Sequence, residues 1–140
     1  MKAVLDTNVF VSAFLSAGSP PDRIVRAWRR GDFELVTSAP ILSELEAVLA
    51  RPHIAKRLGW NAEEQTATIA ALSDAATVVV PTEKITAITS DPSDNRILEA
   101  AVAVQADYIV SGDSDLLNLH VFEGMEIVTP ARFAAILQGR

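Results

Sequence analysis

Acidic residues in this sequence fall at positions where an α/β sheet would bring them together. Asp6 directly follows the apolar run from Lys2 to Leu5, and Asp113 and Asp115 follow the run from Tyr108 to Val110. The carboxyl ends of neighbouring parallel strands meet at one edge of a sheet, where open α/β folds bind their ligands. If these two runs are adjacent strands, Asp6 and Asp113 lie within several ångströms of each other.

Two further acids could join this group. Asp94 lies in the first turn of a predicted helix that leads into the strand from Tyr108 to Val110. Glu44 lies on the first helix after Val36, at one edge of the apolar stripe of that helix, and Glu46 lies at the other edge. Successive side chains of a helix are about 100° apart, which places Glu44 and Glu46 at equivalent edges of the stripe. Periodicity therefore does not decide which of the two acids belongs to the group.

Each acid alone also fits a simple structural role. Asp6, Asp91 and Asp113 could each cap a helix, Asp94 could complete a capping box, and Asp115 could be a solvated turn residue.

Together, the acids indicate a metal site. Clustered carboxylates repel and raise each other's pKa unless a cation neutralises them. Because the chain has no cysteine and only two histidines, Mg²⁺ or Mn²⁺ is favoured over zinc. An ion of this kind can activate a water and accept phosphate oxygens as ligands, so the predicted chemistry is phosphodiester hydrolysis without a histidine base.

Short apolar runs alternate with longer amphipathic stretches along the whole chain. Nearly continuous apolar strands are typical of a parallel sheet that is covered on both faces. The pattern predicts one α/β domain over residues 1–140, with a doubly wound sheet of about five strands. The strand candidates are Lys2 to Leu5, Phe33 to Val36, Thr77 to Val80, Tyr108 to Val110 and Glu126 to Val128.

Start signals mark several of the intervening helices. Asn61 with Glu64 predicts a capping box, and the segment from Asp91 to Asp94 predicts another, with proline at the first helical position. Thr129 precedes a proline and is predicted to open the last helix. The long section from Ser38 to Ala76 is predicted to form two or three successive helices.

Four segments resemble the motifs of the PIN domain, in the same order and at matching spacings. They are Leu5-Asp6-Thr7-Asn8-Val9, Ser43-Glu44-Leu45, Asp91-Pro92-Ser93-Asp94-Asn95 and Ser111-Gly112-Asp113-Ser114-Asp115-Leu116-Leu117. The resemblance runs almost the whole chain and is greatest to bacterial toxin components of toxin–antitoxin systems, the VapC-like toxins. It implies a three-layer α/β/α fold and a Mg²⁺- or Mn²⁺-dependent ribonuclease, which we expect to leave 5′-phosphate and 3′-hydroxyl ends.

The resemblance also assigns residues to the site. The acidic quartet of the family falls on Asp6, Glu44, Asp94 and Asp113, with Asp115 as a frequent fifth acid, so it selects Glu44 over Glu46. We expect Asp6, Asp94 and Asp113 to hold the metal, and Glu44 and Asp115 to ligate it directly or through water.

Neighbouring polar residues are expected to support these acids. Thr7 and Ser111 stand where the family often has a hydroxyl that is hydrogen-bonded into the site, although threonine is more usual at the second position. Asn8 lies in the first motif and is also assigned a supporting role. Asp91 is interpreted as a helix cap and Asp94 as the ligand.

The net charge of −6 at first argues against a polyanionic partner. Setting aside the five assigned acids changes the balance to −1, and seven of the twelve basic residues lie between Arg23 and Arg57. Arg51, Lys56 and Arg57 are therefore candidate RNA contacts, with an ordinary solvated face as the equally weighted alternative. The acidity then predicts poor RNA binding in the absence of metal.

Phosphatases and phosphoacceptor domains are alternative acid-based α/β proteins. A haloacid dehalogenase-like phosphatase would need Asp where Asn8 stands, and a receiver domain would need a phosphoacceptor Asp where the third strand ends at Val80-Pro81-Thr82. A non-catalytic RNA- or protein-binding module is the third alternative.

The resemblance implies a small antitoxin partner and a homodimer. The missing cysteines and the lack of a membrane-length apolar run fit a cytoplasmic protein without membrane contact.

Overall fold

The computed structural model describes residues 1–139, as a six-stranded sheet and eight helices. The strands are β1 (Lys2–Leu5), β2 (Glu34–Ser38), β3 (Thr77–Val79), β4 (Tyr108–Val110), β5 (Val121–Phe122) and β6 (Met125–Val128). The helices are α1 (Thr7–Leu15), α2 (Pro20–Arg29), α3 (Ala39–Leu49), α4 (Pro52–Leu58), α5 (Ala62–Ala75), α6 (Asp94–Val104), α7 (Ser114–Leu117) and α8 (Pro130–Gln138). Within this range, none of the helices combines the length and apolarity required to cross a bilayer.

The sheet confirms the predicted α/β class and all five predicted strands. Its order is β3-β2-β1-β4-β6-β5, and every neighbouring pair is parallel except β5 with β6. The sixth strand, β5, lies outside the five strand candidates. It is only two residues long and pairs with β6 through a tight turn at Glu123 and Gly124, both with positive φ. Two residues are too few to show a strand period.

Alternate residues of the strands supply two separate cores, one on each face of the sheet. Ala3 and Leu5 of β1 pack into a cluster with residues of α1, α2, α3 and α8. Val4 packs on the opposite face with Ile109 and with residues of α6 and α7. This alternation follows from the two-residue period of a strand. The expected three-layer α/β/α arrangement is therefore confirmed.

The long section between β2 and β3 forms three helices, α3, α4 and α5, in agreement with the sequence prediction. Asn61 caps α5: its Oδ1 accepts a 2.7 Å bond from Glu64 N, and Glu64 Oε1 accepts a 3.0 Å bond from Asn61 N. The predicted capping box is confirmed. Thr129 also opens α8 as predicted, because its hydroxyl accepts a 3.1 Å bond from Arg132 N.

The start of α6 corrects one prediction. The helix begins at Asp94 instead of Pro92, and Ser93 occupies the N-cap position without a side-chain capping bond. Asp91 Oδ1 accepts bonds from Ser93 N at 3.1 Å and from Ser93 Oγ at 2.6 Å. Asp91 therefore stabilises a turn ahead of the helix and leaves its second carboxylate oxygen free of these bonds.

Candidate active site and metal centre

The candidate site lies where the sheet changes its direction of winding. The chain passes from β1 to β2 on one side, and β4 pairs with β1 on the other. Such a switch point opens a crevice at the carboxyl ends of the two central strands. Asp6 follows β1, and its N–H donates a 2.9 Å bond to Val110 O of β4. Ser111 continues β4 beside it, so both motifs meet at this crevice.

Ser111 joins the residues that follow the two strands. Its side chain is fully buried, and its Oγ donates a 2.6 Å bond to Asp6 Oδ2. The same Oγ accepts a 2.9 Å bond from Asp113 N. Asp113 in turn caps α7, because its Oδ1 accepts a 2.7 Å bond from Asp115 N. The suggestion that Asp113 caps a helix is thus correct, and the residue also faces the crevice.

Glu44 approaches the crevice from α3, which begins directly after β2. Its Oε2 accepts a 3.2 Å bond from Thr7 Oγ1, at the start of α1. Burial raises the pKa of Asp6, and the negative charges of Asp113 and Glu44 raise it further, whereas the Ser111 hydrogen bond lowers it. Glu44 is thus close enough to repel Asp6, while Glu46 lies exposed.

Asp94 is the most strongly perturbed acid of the group. It is only 5% exposed, and its Oδ2 accepts no hydrogen bond from residues 1–139. Burial and, after it, the negative charges of neighbouring carboxylates, led by Asp113 and then Asp6, together raise the pKa of Asp94 to about 7. A buried carboxylate oxygen without a donor is costly, and a cation would supply the missing partner.

Asp91 also belongs to this group, which the sequence reasoning missed. One carboxylate oxygen from each of Asp91, Asp94 and Asp113 lies within 4.8 Å of the others. Assigning Asp91 to a cap did not exclude a second role, because its Oδ1 alone makes the turn bonds. Asp115 lies at the rim, where its Oδ2 accepts a 2.8 Å bond from Ser90 Oγ. The structure thus brings the predicted acids together and adds one.

Comparison with known proteins identifies the family. Residues 2–115 match the family described as the PIN domain. The chain belongs to the PIN-domain family. It is also similar to "Uncharacterized protein MJ1680" of Methanocaldococcus jannaschii, with 29% identity over 119 aligned residues. The aligned region covers 85% of this chain and 75% of that protein. The nuclease-type fold expected from the sequence motifs is therefore confirmed.

The acidic group suits the divalent metal ions on which PIN domains typically depend. Its potential ligand atoms are carboxylate oxygens, which Mg²⁺ and Mn²⁺ prefer over the nitrogen and sulfur ligands of zinc sites. The Oδ2 of Asp94 has no hydrogen-bond donor among residues 1–139, and burial followed by the neighbouring carboxylates raises the pKa of Asp94, so a cation would stabilise its ionised form. This PIN domain therefore has the donor set for a hard divalent cation.

Other predicted site residues lie outside this hydrogen-bonded group. Asn8 is exposed at the start of α1, and its side chain makes no hydrogen bond in the described part of the chain. Arg51, Lys56 and Arg57 are exposed on and beside α4. Across residues 1–139 the ion pairs do not involve these three, whereas Arg26 pairs with an aspartate of its own helix.

A large surface groove of this PIN domain lies away from the acids. It has a volume of about 790 Å³ and runs between α1, α2 and α5. Phe14, Trp28, Trp60 and Leu72 line it, and the rings of Phe14 and Trp60 pack with their centroids 5.3 Å apart. The carboxylate crevice is a separate and more polar feature.

Proposed function

We propose that this PIN domain is a Mg²⁺- or Mn²⁺-dependent endoribonuclease that hydrolyses phosphodiester bonds. The observation that carries the proposal is the buried Oδ2 of Asp94, which lies in a cluster of carboxylates and has no hydrogen-bond partner among residues 1–139. When bound, a divalent ion would activate a water for attack on phosphorus and balance negative charge on the phosphate.

The residues divide into those that would hold the ion and those that orient them. Asp6, Asp94 and Asp113 are proposed as direct ligands, and Glu44 and Asp115 as ligands that bind directly or through water. Several hydrogen bonds already fix the orientation of these carboxylates, notably those from Ser111 to Asp6 and from Thr7 to Glu44. Fixed ligands are expected to bind the ion more tightly, because less reorganisation accompanies binding.

RNA hydrolysis by purified protein tests this function. Asp6→Asn and Asp94→Asn should each lower the cleavage rate in Mg²⁺ and in Mn²⁺ on the order of 100-fold or more, since loss of a ligand should exceed the roughly 10–100-fold cost of losing a residue that orients one. Glu46→Gln, which neutralises an exposed acid of α3, is the matched control and should retain full activity. End mapping should give 5′-phosphate and 3′-hydroxyl products. Unchanged cleavage by both aspartate variants would refute the assignment.

We further propose that the protein is the cytoplasmic toxin component of a type II toxin–antitoxin system, that it forms a homodimer, and that a small antitoxin binds it. The support is the likeness of its four sequence motifs to those of VapC-like toxins. Induced expression should arrest growth, and Asp6→Asn should abolish the arrest at equal protein level. Normal growth with active ribonuclease in the same cells would separate the enzyme from the toxin role.

A further inference from the structure

The loop of residues 80–93, here called the β3–α6 loop, carries Asp91 and Ser90 to the acidic site. It contains no helix or strand. Two of its side chains, Ile85 and Ile88, are buried in the core on the α6 face of the sheet. The loop therefore enters the protein interior, where its backbone polar groups require hydrogen-bond partners.

Two side chains of α6 supply these partners. Asn95 Oδ1 accepts a 2.9 Å bond from Ile88 N, and Asn95 Nδ2 donates a 2.7 Å bond to Ile88 O. One turn later, Glu99 Oε2 accepts a 2.9 Å bond from Ile85 N. Asn95 is 2% exposed and Glu99 is 8% exposed, so water competes poorly for these bonds.

A positive charge lies next to the other carboxylate oxygen of Glu99. Arg96 Nε lies 3.1 Å from Glu99 Oε1, which leaves Oε2 directed at Ile85 N. At the other end of the loop, Ser90 Oγ donates to Asp115 Oδ2 at 2.8 Å. The loop is thus anchored to α6 in its middle and to the acidic site near its end.

We propose that Asn95 and Glu99 are positioning residues that hold Asp91 at the cation site, an inference that rests on the proposed function. Helix α6 presents Asp94 directly and, through these two side chains, also fixes the loop that carries Asp91. Like charges repel, and the carboxylate of Asp91 lies within 4.8 Å of those of Asp94 and Asp113. Without the two anchors, repulsion would move the loop outward before an ion arrived.

Calorimetric titration with Mn²⁺ tests the proposal independently of RNA cleavage. Glu99→Ala should weaken Mn²⁺ binding about tenfold, as is typical when a residue that orients a metal ligand is lost. Glu99→Gln keeps an acceptor for Ile85 N and should bind Mn²⁺ nearly as the unmodified protein does. Asn95→Ala should resemble Glu99→Ala. If both alanine variants bind Mn²⁺ as tightly as the unmodified protein does, the proposal is overturned.

A double-mutant cycle shows whether the anchors act through Asp91. In an Asp91→Asn background, Glu99→Ala should cost little further Mn²⁺ affinity, because the carboxylate that it positions is already gone. A full tenfold loss in that background would instead assign Glu99 a purely structural role. Asn61→Ala is the matched control. It removes the N-cap of α5, which should lower the stability of the protein by about 1 kcal/mol, and it should leave Mn²⁺ affinity unchanged.

Proteolysis of the unmodified protein gives a second measurement that does not depend on the alanine variants folding. Lys84 is exposed in the β3–α6 loop, directly before the anchored Ile85. Mn²⁺ should slow tryptic cleavage after Lys84 at least several-fold, and should do so much less in Asp91→Asn. Equal protection of both proteins would contradict the inference.

If Mn²⁺ binds as expected but RNA remains intact, the ribonuclease function fails while the positioning role stands.

Discussion

The hydroxyl of Ser111 donates a 2.6 Å hydrogen bond to Asp6 Oδ2, and thereby links the ends of β4 and β1. A hydroxyl has one proton to donate, and here it is directed at the carboxylate while the oxygen accepts from Asp113 N at 2.9 Å. This bond favours the ionised form of Asp6, against the burial that raises the pKa of the same group. Ser111 therefore favours the charged form of a buried acid, which is the form that the proposed binding of a cation requires.

Replacement of this hydroxyl should weaken metal binding without removing a ligand. Ser111→Ala leaves Asp6 Oδ2 and Asp113 N without their partner, so Mn²⁺ affinity should fall about tenfold and the pKa of Asp6 should rise further. Ser111→Thr keeps the hydroxyl and should retain most of the affinity. Calorimetry on the two variants checks this, and identical Mn²⁺ affinity in Ser111→Ala would show that the bond has no such role.

The strands could be predicted because each is a nearly continuous apolar run that is buried on both faces. Val4 packs on one face while Ala3 and Leu5 pack on the other, so the whole run from Lys2 to Leu5 is apolar apart from its first residue. The two-residue β5 offers no such pattern. The sequence pattern places the start of α6 two residues early, because a proline after Asp91 suits a turn as well as a first helical turn.

The site was predictable only in the part that strand ends determine. Asp6 and Asp113 follow adjacent parallel strands, so topology alone brings them together. Glu44 required the family resemblance, since periodicity left Glu46 equal to it. The roles of Asn95 and Glu99 depend on an irregular loop whose path no sequence period records. Their partners are backbone atoms, which have no signature in the sequence.

Relief of charge repulsion should make one ligand variant more stable than the unmodified protein when metal is absent. At pH 8 Asp94 is ionised among other carboxylates, so Asp94→Asn should raise the melting temperature in EDTA. Saturating Mn²⁺ should reverse the order, because an ion at 100 times its Kd adds about 2.7 kcal/mol to the unmodified protein only. Glu46→Gln should follow the unmodified protein in both conditions. A lower melting temperature for Asp94→Asn in EDTA would contradict the expectation.

The stability of the metal-free protein should depend on pH. The pKa of Asp94 is raised from 3.8 to about 7, so the folded state holds a proton that the unfolded chain releases between these values. The contribution of Asp94 to stability is therefore fully present below pH 3.8 and is lost as the pH rises towards 7. Thermal melts of metal-free protein should show this loss, and Asp94→Asn should lack it.

The same proton competes with the metal. Below pH 7, Mn²⁺ must displace the proton of Asp94, so affinity should rise about tenfold per pH unit and then level off above pH 7. Calorimetry in buffers with different ionisation enthalpies should detect close to one proton released at pH 6 and almost none at pH 8.5. Asp91→Asn removes a charge that raises the pKa of Asp94, so it should move the levelling-off point to lower pH. A pH-independent affinity would refute the competition.

The exposed basic residues of α4 give a last prediction, which concerns RNA affinity instead of catalysis. Arg57 lies exposed and outside the ion pairs of residues 1–139, so its charge is available for a phosphate. Arg57→Glu should weaken RNA binding and reduce the slope of log affinity against log salt by about 0.7 for each phosphate that is no longer neutralised. Anisotropy with labelled single-stranded RNA, in a Glu44→Gln background to limit cleavage, provides the measurement.

Arg132→Glu makes the same charge change on α8 and is the control. An equal decrease of RNA affinity in both variants would indicate an effect of net charge. A decrease in Arg57→Glu alone would favour α4 as an RNA-binding helix. Chelation of Mn²⁺ should weaken binding in every variant, because the uncompensated carboxylates then repel the phosphates.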